Sequence, residues 1–176
     1  MADNNGASGG GSRIALRASD ATLEKATLSS LDTPNVWLRF QFNPKEISFS
    51  TKVTLSKGKG ARAEKTGFPR VSFGNLEANS ISIKNIYFDT YEAGTNVVIQ
   101  YITPLRIFTR FVSPAEPRTH ILQFKWGNYL YIRQCFIESL DYRLTMFLPD
   151  GTPVRAIVDN LTLVETNETP ANIGKP

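Results

Sequence analysis

The fold is decided by a long stretch in the second half of the chain, residues 122–164, which reads LQFKWGNYLYIRQCFIESLDYRLTMFLPDGTPVRAIVDNLTLV. Apolar residues recur at every second position over residues 122–126 and 140–146, a period that is typical of half-buried β-strands. Gly127-Asn128 and Pro149-Asp150-Gly151 interrupt the pattern with residues that favour tight turns. The stretch therefore predicts strands to Trp126, from Tyr129 and over residues 154–164.

The first half carries the same period of two. Residues 36–42 alternate and are stopped by Asn43-Pro44, because proline lacks the N–H that a strand ladder requires. Residues 47–55 predict one long amphipathic strand that leads into a basic tip at residues 57–60, with a return over residues 68–73. Near Lys84-Asn85 the alternation of inward-facing apolar residues shifts by one position. Such a shift predicts a β-bulge.

One segment departs from the β pattern. The apolar residues between Val97 and Val112 fit a period of 3.6, which predicts a helix. Thr103 is the predicted N-cap and Pro104 the first helical residue, where its missing N–H costs nothing. Pro114 and Pro117 are predicted to end the helix.

These elements predict a mainly β fold with one flanking α-helix. The sheet is expected to form a rolled sheet or small β-barrel, with an extended hairpin arm built from the long strand. The predicted organisation is a flexible or weakly structured segment over residues 1–35, one domain over residues 36–166, and a frayed tail over residues 167–176.

Composition excludes several classes of protein. One histidine and one cysteine among 176 residues cannot form an internal disulfide or a His/Cys zinc site. No apolar run approaches the ~18 residues of a membrane span, and the polar N-terminus does not resemble a secretory signal, so we expect a cytoplasmic origin. His120 is predicted to lie at the surface and Cys135 in an apolar strand. No catalytic or cofactor motif is present, and we expect neither an enzyme nor a cofactor.

The positive charge is local. The chain has a net charge of +4, whereas residues 52–70 alone carry +5. This segment indicates either an electrostatic contact with an acidic surface or phosphate, or a solvated loop. The long strand is likewise either an arm ordered by a neighbouring subunit or an ordinary core strand. Five cations are candidates for contact with another subunit or with a lumen: Lys52, Lys57, Lys59, Arg62 and Lys65.

Four sequence elements occur together: FQFNPKE at residues 40–46, FDT at 88–90, LQFKWG at 122–127 and MFLPDGTPVRA at 146–156. Together they resemble the tube-domain family of contractile injection systems, the phage-tail-like particles, over about residues 36–166. The best-known members are baseplate adaptor, or tube-initiator, proteins that often carry a C-terminal LysM module, which is not found in this sequence. Eight motif residues are expected to be structural: Asn43, Pro44, Trp126, Gly127, Asp150, Gly151, Pro153 and Arg155.

The resemblance implies a tail-tube fold in which hairpin arms join six copies into a ring between the spike hub and the inner tube. The expected function is a baseplate subunit that initiates tube assembly, with itself, the inner-tube protein, the spike hub and other baseplate components as partners. An inner-tube shaft subunit is the alternative within the same particle. Two further alternatives are a basic β-barrel that binds nucleic acid through residues 52–70, and a hydrolase that depends on His120 alone.

Overall fold

The computed structural model describes residues 23–62, 69–114 and 116–170. It contains eleven strands, one π-helical turn and one α-helix. In chain order these are β1 (Ala26–Ser30), β2 (Trp37–Arg39), β3 (Ser48–Ser50), β4 (Val53–Arg62), β5 (Pro69–Leu76), β6 (Ser80–Asp89), the π-helical turn (Val98–Ile102), α1 (Thr103–Phe108), β7 (Phe111–Ser113), β8 (Glu116–Thr119), β9 (Leu122–Trp126), β10 (Tyr129–Phe147) and β11 (Pro153–Glu165).

Seven strands form one antiparallel sheet in the order β2-β1-β9-β10-β11-β6-β3. This confirms the predicted mainly β fold with a flanking helix. The sheet rolls over so that Phe49 of β3 contacts Tyr131 of β10, with 6.1 Å between their ring centroids, although two strands separate β3 from β10. The end strands β2 and β3 do not pair with each other, so the closed-barrel alternative is wrong and the rolled sheet is right.

The core is one cluster in which buried residues of the rolled sheet pack with those of the helical segments. Phe40 packs edge-on against Phe88, with 6.4 Å between the ring centroids, and also contacts Phe124 at 6.1 Å. All three rings are buried. Truncating a buried phenylalanine to alanine typically costs about 3–5 kcal/mol, so this cluster accounts for much of the stability.

The alternation of buried residues in β6 shifts by one position as predicted, but the predicted β-bulge is wrong, because the register with β11 stays constant along the whole strand. Ile83 and Ile86 are both buried, while Lys84 and Asn85 between them are exposed. Strand β11 slips at the same level, so the pairs Lys84↔Asn160 and Ile86↔Val158 remain in step. Asn85 absorbs the change with a φ of 54°, a left-handed conformation that asparagine adopts more readily than most residues.

The predicted hairpin arm is present as a separate two-stranded sheet, β4–β5. The single strand over residues 47–55 is wrong, because β3 ends at Ser50 and β4 starts at Val53. At this break Thr51 Oγ1 donates to Asn79 Oδ1 at 2.8 Å, and Glu77 N donates to the Lys52 carbonyl at 3.1 Å. Residues 57–60 lie within β4 rather than at a tip, since β4 continues to Arg62.

The helix differs from the prediction at both ends. Helical structure already begins in the π-helical turn, and Ile102 rather than Thr103 is the N-cap of α1. Thr103 N donates to the Val98 carbonyl, five residues back, just before Pro104, which has no N–H to donate. α1 ends at Phe108, where Thr109 Oγ1 donates to the Arg106 carbonyl at 3.0 Å. The predicted terminators come later, and Pro117 lies in β8.

Both ends of the domain extend further than predicted. Strand β1 pairs with β2 and β9 inside the sheet, and Ala26 and Leu28 are buried, so the predicted boundary at residue 36 is too late. At the other end, Arg118 Nη2 donates to the Thr169 carbonyl at 3.1 Å, and Pro170 is buried. These contacts fix the start of the predicted tail.

The two helical segments in the described ranges are too short to cross a membrane.

Candidate functional site

Residues from two of the sequence motifs meet at the start of β1. Asn43 Oδ1 accepts from Ala26 N at 3.0 Å, and Asn43 Nδ2 donates to the Glu24 carbonyl at 2.8 Å. Trp126 Nε1 donates to the same carbonyl at 3.2 Å. The side-chain amide of Asn43 thus bonds to the backbone at the start of β1, next to Pro44, which has no N–H to continue the strand ladder.

Gly127 follows Trp126 in the turn between β9 and β10. It has a φ of 57°, a conformation that favours glycine, and an added Cβ would lie 3.4 Å from Glu24 Cβ. The glycine is therefore favoured by the turn, since the added Cβ would make only ordinary van der Waals contact with residue 24. The FxWG and FNP motifs together fix the entry of the chain into the sheet.

The chain between β2 and β3 contacts β6 near both of its ends, at Gln41 and at Ser48. The pairs Ser48↔Ser82 and Ser50↔Ser80 define an antiparallel register that, continued backwards, brings Gln41 opposite Asp89. At that position Gln41 Nε2 donates to the Asp89 carbonyl and Asp89 N donates to Gln41 Oε1, both at 2.7 Å. One side-chain amide therefore bridges the two margins of the rolled sheet, which no pairing among the described strands closes.

Asp89 also joins this bridge to the last strand. Arg155 Nε donates to Asp89 Oδ2 at 2.7 Å, and Tyr91 N donates to Asp89 Oδ1 at 2.9 Å. The Tyr91 N–H foremost, and the Arg155 guanidinium with it, hold the pKa of Asp89 below its ordinary value against the opposing effect of burial. Gln41, Asp89 and Arg155 come from three of the four motifs, so the tertiary fold brings the motifs together.

The other residues of the motif at 146–156 form the turn between β10 and β11. Leu148 N donates to the Thr152 carbonyl and Gly151 N to the Leu148 carbonyl, both at 2.9 Å. Asp150 Oδ1 accepts from Thr152 N at 2.9 Å, a bond that lowers the pKa of Asp150. Gly151 has a φ of 84°, and Pro153 begins β11 opposite Phe147.

The five candidate cations are not gathered with the motif residues. Lys52 precedes the arm, with its Nζ 3.9 Å from a Glu77 carboxylate oxygen. Lys57 and Lys59 lie in β4, where Lys57 pairs with Val71, and Arg62 pairs with Pro69. Lys65 lies outside the described residues.

Exposed apolar side chains surround the root of the arm. Phe49 is 61% exposed although it belongs to a strand of the main sheet, and Val53, the first residue of β4, is 49% exposed. Tyr131 contacts Phe49 and is also exposed. We refer to Phe49, Val53 and Tyr131 as the arm-root patch.

A buried polar cluster was not predicted. The carboxylate of Asp32 accepts from Arg118 at 2.8 and 2.9 Å and from Ile121 N at 2.7 Å. His120, predicted at the surface, is buried, with its Nδ1 3.0 Å from Ser30 Oγ and its ring edge-on to Phe108. No local signal marks this cluster, since Asp32 and Arg118 are 86 positions apart.

Ser30, His120 and Asp32 are the residue types of a hydrolase triad, but their geometry differs from one. A triad aspartate orients the histidine, whereas Asp32 holds the Arg118 guanidinium through two hydrogen bonds and accepts from the Ile121 N–H. Ser30 is buried, and its hydroxyl accepts from Thr33 N at 3.0 Å as well as contacting His120. The cluster therefore ties β1, β8 and the C-terminal segment together.

The Cys135 thiol is also part of the packed interior. Cys135 is buried and donates to the Leu122 carbonyl at 3.4 Å, and burial raises the pKa of its thiol to about 12, so the reactive thiolate is suppressed. Among residues 23–62, 69–114 and 116–170, no group of three or more His, Cys, Asp or Glu side chains could hold a metal ion. The arrangement is suited to fixing strands, edges and an arm.

A protein-family model described as "Contractile injection system tube protein" matches residues 20–173. The match includes β1 and the described part of the C-terminal segment, and so extends beyond residues 36–166 at both ends. A search of curated proteins found no match.

Proposed function

Because the chain belongs to the contractile injection system tube protein family, we propose that six copies form a ring that connects the baseplate spike hub to the inner tube and initiates tube assembly. The partners in this proposal are further copies of the chain, the inner-tube protein, the spike hub and other baseplate components. We propose assembly in the bacterial cytoplasm, without a cofactor, nucleic acid or catalysis. The work of such a subunit is to present complementary edges and surfaces.

The arm is the observation that carries this proposal. Strands β4 and β5 pair only with each other among the described strands. An isolated two-stranded hairpin is at best marginally stable in water, so the arm requires another surface. A neighbouring copy in a ring supplies one, with the arm-root patch available to pack against it.

The free edge of β10 also supports assembly. Strand β10 continues to Phe147, but its last pair with β9 is Cys135↔Leu122. Beyond Cys135 it pairs only with β11 within the described part of the chain. Long open edges invite pairing with another chain, and a closed ring is one way to cover them.

The arm-root patch provides a direct test. Phe49→Ser should lower the free energy of unfolding of the monomer by no more than about 1.5 kcal/mol, the loss of its ring contact with Tyr131, because the side chain is otherwise 61% exposed, and should abolish ring formation. Native mass spectrometry measures the oligomer, with the hub and tube proteins added. Phe111→Ser is the matched control, since Phe111 is similarly exposed in β7, away from the patch.

The assembly state of the chain with and without its partners also distinguishes a tube initiator from a shaft subunit. A tube initiator forms one ring on the hub and lengthens only when the inner-tube protein is added. A shaft subunit lengthens by itself into a tube visible by electron microscopy. A chain that stays monomeric in the presence of its partners would contradict both.

A further inference from the structure

The free side of β2 forms a groove that the proposed ring contacts do not use. Five consecutive residues, 37–41, line one wall, and Gln100 and Tyr101, in the π-helical turn, line the other. β2 is an end strand of the sheet, so the groove follows an open strand edge.

The register shows which backbone groups face this groove. Leu38 pairs with Leu28, Ser30 N donates to the Val36 carbonyl at 3.0 Å, and Phe40 N donates to the Ala26 carbonyl at 2.9 Å. The even-numbered residues therefore direct their backbone groups towards β1. In an antiparallel strand the alternate residues point the other way, so the N–H and C=O groups of Trp37 and Arg39 face the groove.

No described residue forms a hydrogen bond with the backbone N–H and C=O groups of Trp37 and Arg39. The next outward carbonyl, that of Gln41, accepts from Lys25 Nζ at 2.6 Å, which ends the open edge. Trp37 is 58% exposed and Arg39 is exposed, so an apolar ring and a cation flank the two open positions. The edge is short, and a ligand would add as a short strand.

The charge of the groove identifies the ligand. The lining residues include Lys25 and Arg39 but no carboxylate. The chain's own arm carries Lys57, Lys59 and Arg62, so it would meet like charges there. Pairing of two β2 edges would likewise bring two Arg39 residues close together. A second copy of this chain is therefore the less favourable occupant.

We infer that the β2 edge is a docking site for an extended acidic segment of a different protein, which adds to the sheet as a short strand. Main-chain hydrogen bonds to Trp37 and Arg39 supply the register. Carboxylates beside Lys25 and Arg39, together with apolar contact to Trp37, supply selectivity. The inference does not depend on the proposed ring, since it uses the opposite margin of the sheet from β3 and the arm.

The test uses the full chain and three synthetic peptides. One alternates valine and threonine with glutamate, the second replaces each glutamate with lysine, and the third keeps the glutamates but has proline at alternate positions. Amide hydrogen exchange followed by NMR should show slower exchange at Trp37 and Arg39 with the first peptide only. Proline lacks the N–H that strand addition requires, so the third peptide separates strand pairing from charge attraction.

Charge reversal at Arg39 provides a second, independent test of the docking site. Arg39→Glu should weaken binding of the glutamate peptide by about fivefold, the upper range for an exposed ion pair, and improve binding of the lysine peptide. Lys125→Glu is the control, because Lys125 is an exposed cation in β9 that does not line the groove. Because Arg39 is exposed, the variant is expected to fold.

Three results would overturn the inference. The first is unchanged exchange at Trp37 and Arg39 at saturating glutamate peptide. The second is equal binding of the proline peptide, which would indicate charge attraction without strand pairing. The third is protection of the same two amides by self-association of the chain alone, which would assign the edge to a second copy.

Discussion

At the residue scale, His120 shows how burial changes the role of a side chain. Its imidazole is 6% exposed and lies between Ser30 and Phe108. Burial, foremost, and the neighbouring Arg118 lower its pKa, whereas Asp32 acts in the opposite direction. The folded protein therefore favours the neutral imidazole more strongly than the unfolded chain does.

This pKa shift predicts a loss of stability in mild acid. Below the ordinary histidine pKa of about 6.5 the unfolded chain binds a proton that the folded protein resists, so the free energy of unfolding falls as the pH drops. The slope can reach about 1.4 kcal/mol per pH unit until the folded-state pKa is passed. Urea unfolding at pH 7.5 and at pH 5.5 measures it.

The chain has one histidine, so His120→Asn isolates the effect. The variant should be less stable at pH 7.5 but should lose less stability than the parent between the two pH values. An equal loss in both proteins would show that another group titrates on unfolding.

At the element scale, the strands followed from local pattern more closely than the helix did. The period of two located β9, and Gly127-Asn128 and Pro149-Asp150-Gly151 located the turns before β10 and β11, because backbone conformation at a turn depends on the residues present. The start of α1 depended on a π-helical turn, and the break between β3 and β4 on a bond from Thr51 to Asn79. Neither contact produces a sequence period.

The turn before β11 supports a prediction at this scale. Gly151→Ala should lower the free energy of unfolding by about 1–2 kcal/mol, because a φ of 84° is strained for residues with a Cβ. No atom lies within 4 Å of the added Cβ, so the cost is conformational rather than steric. Urea unfolding should show a lower midpoint with an unchanged slope.

Gly151→Asn is the matched variant, since asparagine tolerates positive φ better than alanine. It should lose less stability than Gly151→Ala. Equal losses would show that the side chain of Asn meets a different obstacle, and no loss in either would show that the turn relaxes.

At the scale of the whole molecule, Gln41 connects two margins of the sheet that are far apart in the sequence. Its amide holds the backbone of Asp89, 48 positions away, where the roll would otherwise be open. Gln41→Ala should cost about 1–3 kcal/mol, because it leaves a half-buried N–H and C=O without partners. Chemical denaturation of the full chain measures the change.

Gln123→Ala is the control for this prediction. Gln123 is a half-buried glutamine in β9 whose side chain makes none of the described hydrogen bonds, and its substitution should cost no more than about 0.5 kcal/mol. If the two variants lose the same stability, the amide bridge does not hold the roll together.

The sequence by itself determined the strand periods, the turns at Gly127 and Gly151, the arm as a hairpin and the family resemblance carried by four motifs. These features depend on neighbours in the chain, so a local pattern contains them. Only the tertiary structure decided that the sheet stays unclosed, that Gln41 bridges it to Asp89, that β1 belongs inside it and that His120 is buried. Those outcomes depend on contacts between residues 48 to 98 positions apart, whose geometry is fixed only when the sheet rolls and the core excludes water.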